Sequence, residues 1–270
     1  MIIAVDTGGT KTIVARFSDD GILLQSTKIP TPKPVDEYVA TISENIRLVA
    51  AGENITMISM ALPGVIHDGI AEWCVNLGWK NVPIRQLMAN NFPNVDILID
   101  NDANLAGLAS MCRLDYSPKC GLYITIGTGI GTALVLNGEL HDALLDCEGG
   151  HMLLEFKGKN VEWEDIASGR VFNEMFGTIS DDTNPEAWPE IAKRISVGLR
   201  LIVAFVQPDI VVIGGGVGVY ADKFSDLLSG LLAESLPAST TPPRIVAAPH
   251  PEETVLYGCY DNAKINSQTD

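Results

Sequence analysis

Positive charge is scarce in this chain: 18 Lys and Arg residues stand against 34 Asp and Glu residues, which gives a net charge of −16. Nucleic acids, anionic membranes and other polyanions attract proteins through Lys and Arg. The charge balance therefore excludes nucleic acid and membrane surfaces as the main partners.

Paired cysteines and long apolar runs are also missing. The five cysteines include no CxxC pair, which argues against a disulfide framework and against a thiolate zinc site. No run approaches the roughly 18 apolar residues that a membrane-spanning helix needs. The first apolar run, residues 1–5, meets Asp6 before a signal-peptide core could form. We therefore expect a cytoplasmic protein.

Glycine, by contrast, is concentrated in turns that follow short apolar runs. The first turn, DTGGTK, contains Gly8 and Gly9, which permit a phosphate to approach backbone N–H groups closely. Lys11 adds positive charge, and Asp6 is placed to orient a magnesium-bound water. The turn predicts a phosphate loop, and a tight hairpin capped by Asp6 is the alternative.

A second turn, GTGIGT at residues 127–132, precedes a β-rich segment that ends in the hairpin dipeptide Asn137-Gly138. A dinucleotide-binding fold would begin a helix after such a turn. We therefore predict a hairpin whose amides and Thr hydroxyl cradle triphosphate oxygens. Three glycines at residues 214–216 follow another strand and offer a flat backbone surface for an adenine or ribose.

A carboxylate lies at a predicted strand-to-helix junction. Residues 98–109 read LIDNDANLAGLA, an apolar run that ends at Asn101-Asp102 and continues into a small-residue helix pattern. Asp102 can accept the proton of a hydroxyl as a phosphoryl group arrives, and it can cap the helix in the same position. Glycine turns flank Asp102 in the sequence. A carboxylate at a strand end between two such turns predicts a phosphoryl-transfer site.

Three further polar side chains lie between the second glycine turn and a long predicted helix. Glu148 and His151 belong to the segment EGGH, and Glu164 precedes the segment ASG. Carboxylates accept hydrogen bonds from vicinal hydroxyls, and an imidazole donates or accepts them. These side chains suit a carbohydrate, whereas a loop histidine and a helix-start glutamate are the structural alternatives.

A strand, glycine turn, strand unit occurs twice, at residues 2–17 and 121–136. The repeat predicts an α/β fold with two lobes that share a cleft. We expect the N-terminal lobe at residues 1–105, with a return helix at about 255–265, and the C-terminal lobe at residues 106–254. Strands are predicted at 2–5, 12–17, 22–29, 55–62, 95–99, 121–126, 133–136 and 210–213, and helices at 35–51, after 102, at 186–206, 221–235 and 255–263.

Eight ordered motifs resemble the ROK (repressor, open reading frame, kinase) family of bacterial sugar kinases and regulators. They are DTGGTK, ALPGVI (61–66), NLGW (76–79), DNDAN (100–104), GTGIGTALVLNGEL (127–140), EGGH (148–151), EDIASG (164–169) and IGGGV (213–217). The resemblance implies an actin-like (ribonuclease H-like) two-lobe fold with duplicated βββαβα units and a homodimer. It also implies transfer of the γ-phosphate of ATP, bound with Mg²⁺, to a hexose hydroxyl, with glucose 6-phosphate as the expected product.

The resemblance implies a role for each matching position. Asp102 corresponds to the catalytic base. The positions that match hexose contacts are Gly64, Asn76, Asn101, Glu148, His151 and Glu164. The positions that match nucleotide and phosphate contacts are Asp6, Gly8, Gly9, Thr10 and Lys11 in the first loop, Thr128 and Gly129 in the second, and Gly215 and Gly216 in the adenosine wall.

One departure from the family pattern concerns zinc. Family members follow the EGGH-like motif with a CxCGxxGC cluster that binds structural zinc together with the histidine, whereas here His151 is followed by MLLEFKGKNVEWED. We therefore expect no structural zinc. Packing of Phe156 and Trp163 is expected to hold this loop instead.

Several alternatives stay open. Polyphosphate-dependent glucokinases of the family also lack the cysteines, so polyphosphate is the alternative donor, although NLGW and EDIASG resemble the ATP-dependent branch. Fructose, mannose and N-acetylhexosamines are alternative acceptors, and a non-catalytic sugar sensor is an alternative function. A DNA-binding regulator is not expected because the first strand begins at residue 2, and acyl-phosphate chemistry is not expected because no Arg lies within a site motif.

Overall fold

The computed structural model describes residues 1–249 and 253–267, and the chain divides into two compact units. The first unit contains residues 1–109 and 253–267, and the second contains residues 110–249. The expected lobe boundary at residue 105 and this division both fall within the helix Asp102–Cys112. Within the described residues, no helix is long and apolar enough to cross a membrane.

The first unit is built on a five-stranded sheet with the order β3-β2-β1-β4-β8. The strand β1 pairs antiparallel with β2 and parallel with β4, and every residue of β4 is buried. Its elements, with those that complete the first 112 residues, are β1 (Ile2–Thr7), β2 (Lys11–Phe17), β3 (Leu23–Pro30), α1 (Val35–Ala50), β4 (Met57–Leu62), β5 (Val65–His67), β6 (Ile70–Cys74), β7 (Trp79–Val82), α2 (Ile84–Ala89), β8 (Asp96–Asn101) and α3 (Asp102–Cys112).

The second unit repeats this topology in a sheet with the order β11-β10-β9-β14-β15. Here too the first strand pairs antiparallel with the second and parallel with the fourth. The elements are β9 (Cys120–Ile126), β10 (Ile130–Leu136), β11 (Glu139–Leu140), β12 (Leu153–Phe156), β13 (Lys159–Glu162), α4 (Glu164–Ala167), α5 (Gly169–Phe176), α6 (Ala187–Val206), β14 (Ile210–Gly214), α7 (Gly215–Gly218), α8 (Ser225–Ser235) and β15 (Arg244–Ala247).

The last helix, α9 (Thr254–Asn266), packs against β1 and β4 of the first unit. The Cys259 thiol donates a hydrogen bond to the Val5 carbonyl, and the Tyr260 hydroxyl donates one to the Asp19 carbonyl at 2.8 Å. Phe17 packs against the ring of Tyr260 with a centroid distance of 5.2 Å. Aromatic packing and burial therefore hold α9 on this sheet.

The hairpin expected from Asn137-Gly138 is present between β10 and β11. Both residues have positive φ, 53° and 86°, as a type I′ turn requires. The predicted helix over 221–235 differs from the structure, because a 3₁₀ turn at Ala221–Lys223 precedes α8. The glycines expected to form only a turn at 214–216 continue into the helical turn α7.

Several short features were not predicted from the sequence. They include the small β5-β6-β7 sheet, the β12-β13 hairpin, the helices α2 and α5 and the strand β15. Strands of three to five residues with exposed positions give no clear alternation of apolar and polar residues. The β12-β13 hairpin carries part of the site described next.

Candidate active site

Asp102 begins α3 directly after β8, and hydrogen bonds fix this junction. Asp102 Oδ1 accepts a bond from the Ala103 amide at 2.8 Å. Asn101 Oδ1 accepts bonds from the amides of Ala103 and Asn104 at 2.7 and 3.2 Å, so Asn101 caps the helix. The capping role that the sequence left open for Asp102 is therefore shared with Asn101, and the Asp102 carboxylate lies at the start of the helix.

Asn101 also ties this junction to the turn between β4 and β5. Its side-chain amide donates a hydrogen bond to the Gly64 carbonyl at 2.8 Å. Gly64 has a φ of +106°, and a Cβ at this position would lie 2.2 Å from the Trp73 carbonyl oxygen. Only glycine fits there. The predicted site residues Gly64, Asn101 and Asp102 thus lie together in the first unit.

The first glycine loop is closed by its own backbone. The Gly8 amide donates to the Lys11 carbonyl at 2.9 Å, between β1 and β2. Thr31, which directly follows β3, also binds this loop. Its hydroxyl donates to the Gly8 carbonyl at 2.8 Å, and its amide donates to the Thr10 carbonyl at 3.1 Å. These bonds fix the shape of the loop, and the Lys11 side chain at its end is exposed.

A lysine that the sequence analysis did not identify joins this loop to Asn76. The Lys33 ammonium donates hydrogen bonds to the carbonyl oxygens of Gly9 and Asn76. A Cβ at Gly9 would lie 3.2 Å from the Asn76 Cβ, so the loop and the 3₁₀ turn Val75–Leu77 pack directly against each other. The structure therefore brings Gly9 and Asn76 together and adds the positive charge of Lys33.

Asp6 lies in β1 next to this loop, and its ionisation is perturbed. The pKa of Asp6 is raised to about 7, chiefly because burial penalises the charged form and also because Asp102 adds negative charge nearby. The positive charge of Lys28 acts in the opposite direction. Asp6 and Asp102 are thus electrostatically coupled, and a bound cation would favour the ionised form of Asp6.

In the second unit, the glycine loop between β9 and β10 lies against Glu164. The Ile130 amide donates to Glu164 Oε2 at 3.3 Å, and a Cβ at Gly129 would lie 2.4 Å from the same oxygen. The loop is further fixed by the Gly169 amide, which donates to the Gly127 carbonyl at 2.7 Å. Gly129 therefore permits the Glu164 carboxylate to approach the loop closely, and a larger residue would require this carboxylate to move.

The EGGH segment forms a 3₁₀ turn, Gly149–His151, that packs on β10. The Gly149 amide donates to the Thr132 hydroxyl at 2.9 Å. A Cβ at Gly150 would lie 1.9 Å from the Ile130 carbonyl oxygen. The two glycines therefore allow the backbone contact that places Glu148 and His151 at the ends of the turn.

Glu148 and His151 share one charged neighbourhood with two other carboxylates. Burial raises the pKa of Glu148; His151 opposes this shift, and Glu164 adds to it. The pKa of His151 is raised, first because Glu162 hydrogen-bonds to the ring and further because Glu164, Glu162 and Glu148 are negatively charged; partial burial opposes this shift. His151 Nδ1 lies 2.7 Å from Glu162 Oε2. The structure thus places His151 and Glu164 close to each other together with Glu162, and Glu148 lies within the influence of the His151 and Glu164 charges.

A pocket of about 540 Å³ lies in the second unit beside the glycine loop. Three apolar residues are among those that line it, Ile126, Ile179 and Val217; Ile126 and Val217 are almost fully buried, and Ile179 is partly exposed. Thr128 and Gly216, two of the predicted nucleotide contacts, line it. The other two predicted nucleotide contacts of this unit are Gly129 and Gly215. Gly129 lies against Glu164, and a Cβ at Gly215 would lie 2.6 Å from the Ile126 carbonyl oxygen.

The donor set near His151 does not fit the cysteine-ligated zinc site of the family pattern. Among the described residues, one group of His, Cys, Asp or Glu has its donor atoms close enough to share an ion, all within 4.8 Å, and it consists of His151, Glu162 and Glu164. It contains no cysteine. Trp163 between the two carboxylates is fully buried and Phe156 packs against the same core, as the sequence analysis predicted for this loop.

Three residues near the site were missed from the sequence: Lys33, Glu162 and Arg170. Lys33 stands between two prolines, Glu162 ends a short unpredicted hairpin, and Arg170 follows the ASG segment and lines the pocket. Arg170 pairs with Asp165 at 2.8 Å, so its charge is partly neutralised. Glu162 and Arg170 lie beside the EDIASG motif, whereas Lys33 lies beside no recognised motif.

The repeated sheet, with a glycine loop between the first two strands of each copy, defines an actin-like α/β fold. The family model of the ROK family matches residues 2–264, and the chain belongs to this family.

Individual relatives agree with this assignment. The chain is 27% identical over 231 residues to a polyphosphate glucokinase of Mycobacterium tuberculosis (strain CDC 1551 / Oshkosh), covering 83% of this chain and 80% of the relative. It is 22% identical over 275 residues to a glucokinase of Streptomyces coelicolor, covering 84% and 85%. The crystal structure of a ROK family glucokinase from Streptomyces griseus in complex with glucose and AMPPNP superposes with a TM-score of 0.75 at 20% identity, covering 98% of this chain and 99% of that one.

Proposed function

We propose that this protein is a sugar kinase that transfers the γ-phosphate of ATP to a hexose hydroxyl, with glucose as acceptor and glucose 6-phosphate as product. The observation that carries the proposal is the Asp102 junction. It presents an oriented carboxylate after β8, tied through Asn101 to Gly64 and coupled electrostatically to Asp6 beside a glycine loop. Glucokinases among the relatives support the substrate class.

Asp102 acts as general base in this proposal. Its carboxylate accepts the proton of the sugar hydroxyl, the hydroxyl oxygen forms the new bond to the γ-phosphorus, and ADP leaves with the electrons of the broken bond. Most of the rate comes from positioning and charge neutralisation. The residues proposed to hold the hexose are Gly64, Asn76, Asn101, Glu148, His151 and Glu164.

The phosphates of the nucleotide are assigned to the glycine loops. Asp6, Gly8, Gly9, Thr10 and Lys11 are proposed to serve the first loop and Thr128 and Gly129 the second. Mg²⁺, bound with the nucleotide, would supply positive charge to the phosphate oxygens, and the perturbed carboxylate of Asp6 suits a position near it. The protein is further proposed to act in the cytoplasm as a homodimer.

The pocket in the second unit favours ATP over polyphosphate as donor. Polyphosphate carries no base or ribose, so it would leave the partly exposed side chain of Ile179 in this pocket without a partner. ATP would place its adenosine there, beside Gly216 and near Gly215. The net charge of −16 also disfavours a long polyanion. Polyphosphate is kept as the second candidate because a curated relative is a polyphosphate glucokinase.

The Asp102→Asn variant tests the proposal. Asn has the same shape but cannot accept the proton, so we expect kcat to fall about 10²- to 10⁴-fold while the hexose dissociation constant changes little. Coupled detection of ADP gives kcat, and calorimetry gives the sugar affinity. Asp96→Asn, an exposed change at the start of the same strand, is the matched control. Near-normal turnover in Asp102→Asn would refute the base assignment, and sugar binding without turnover in the wild type would indicate a sensor.

A further inference from the structure

The His151 ring is hydrogen-bonded to a carboxylate. Its Nδ1 lies 2.7 Å from Glu162 Oε2, a distance typical of a charge-assisted hydrogen bond. A carboxylate has no hydrogen to donate unless it is protonated, so the ring is the donor and Nδ1 carries the hydrogen. The neutral ring then has Nε2 as its acceptor nitrogen.

The position of Glu162 is itself fixed by packing. The Trp163 amide donates to the Met152 carbonyl at 3.0 Å, and the Trp163 ring is fully buried. Glu162 pairs with Leu153 at the open end of the β12-β13 hairpin. Leu153 lies two residues after His151 in the chain. The hairpin therefore delivers the Glu162 carboxylate to the imidazole from a rigid base.

We infer that Glu162 is a positioning residue for sugar binding: by accepting the Nδ1 hydrogen it sets the tautomer and ring orientation of His151 and directs Nε2 to a hexose hydroxyl. This inference rests on the proposed function. In proteins generally, the orientation of an imidazole is set by a metal or by a polar group that binds one of its ring nitrogens. Here the Glu162 carboxylate has this role.

The orientation can be measured without catalysis. Nitrogen-15 NMR of the histidine rings distinguishes a protonated from an unprotonated Nδ1. His141 is an internal reference of the opposite tautomer, because its Nδ1 accepts a hydrogen bond from the Ala143 amide at 3.2 Å. His151→Ala assigns the signals. We expect Nδ1–H at His151 in the wild type and its loss in Glu162→Ala.

The titration of His151 provides a second readout. The carboxylates of Glu148, Glu162 and Glu164 all raise the pKa of His151. Glu162→Ala and Glu162→Gln should both lower this pKa because both remove one negative charge. Gln keeps an acceptor oxygen, so it should preserve the Nδ1–H tautomer that Ala loses.

Kinetics then test the link to the sugar. We expect Glu162→Ala to raise the hexose KM about tenfold with little change in the KM for ATP. Glu162→Gln should retain most of the hexose affinity. Glu155→Ala, an exposed change in the same hairpin, is the control and should behave as wild type. In a His151→Ala background, Glu162→Ala should have no further effect.

Two results would overturn the inference: an unchanged tautomer and pKa of His151 in Glu162→Ala, or stoichiometric zinc in the purified protein. Additive effects of Glu162→Ala and His151→Ala on hexose KM would overturn the link to the sugar. If the wild type phosphorylates no hexose while the NMR result holds, the proposed function fails and the orientation of His151 by Glu162 stands.

Discussion

At the scale of single residues, the ionisation of Asp6 links burial to pH. Its ordinary pKa of 3.8 is raised to about 7 in the folded protein. Between these values the native state holds a proton that the unfolded chain has lost. Stability rises with pH only where the unfolded state binds more protons, so Asp6 lowers the free energy of unfolding as pH rises from about 4 to about 7.

Asp6→Asn should remove this contribution. The free energy of unfolding of the variant relative to that of the wild type is expected to increase as pH rises from about 4 to about 7. Urea denaturation without nucleotide or divalent cation measures this difference. Asp20→Asn, an exposed change in the turn after β2, is the control. Parallel stability profiles for Asp6→Asn and wild type would show that Asp6 is not perturbed as described.

The sequence allowed the positions of some candidate site residues to be predicted, and those of others not at all. Asp102, Asn101 and the glycines follow strand ends directly, so their placement depends on a few neighbouring residues. Glu162 reaches His151 from eleven residues away across a hairpin, and Lys33 reaches Gly9 from 24 residues away. Such contacts depend on chain folding that local patterns do not encode, so composition and spacing could not reveal them.

At the scale of elements, the contact between α6 and the segment after β13 supports the second half of the site. Gly198 in α6 faces the Trp163 indole, and a Cβ on this glycine would lie 2.3 Å from the ring. Glu162 and Glu164 flank Trp163. The close packing of a helix glycine on an indole therefore fixes the segment from which both carboxylates project.

Gly198→Ala should destabilise the protein although alanine is the better helix former. We expect a loss of about 1–3 kcal/mol from overpacking against Trp163, measured by chemical denaturation. Gly230→Ala in α8 meets nothing within 4 Å and is the matched control; it should be neutral or stabilise by up to about 1 kcal/mol. Equal effects of the two substitutions would contradict the packing described.

Long elements were predictable because they are buried with a clear period. The strand β14 is a continuous apolar run, β4 is apolar except for Ser59, and α1 and α6 have apolar residues at helical spacing. The β12-β13 hairpin was missed because its residues mix Lys, Glu and apolar side chains, and its turn lacks a dipeptide such as Asn-Gly. The turn is formed by Lys157 and Gly158, which both have positive φ. Backbone pairing of the two strands across this turn defines the hairpin.

At the scale of the whole molecule, duplication was the most useful sequence signal. Two glycine turns after apolar strands predicted two copies of one unit, and the two sheets have the same strand order and the same sense of pairing. The identity of the phosphate donor was harder to predict from the sequence. The pocket lined by Ile126, Ile179 and Val217 draws on three separate elements or loops, so its apolar surface emerges only from the fold.

Donor and acceptor together form the central claim, and one assay tests both. Purified protein is supplied with Mg-ATP and single hexoses or N-acetylhexosamines, ADP and sugar phosphate are quantified, and polyphosphate replaces ATP in a parallel series. We predict glucose-dependent ADP release with one sugar phosphate formed per ADP, and little product with polyphosphate. If no sugar raises ADP release above the sugar-free rate, or if polyphosphate is the better donor, the account of an ATP-dependent hexose kinase is contradicted.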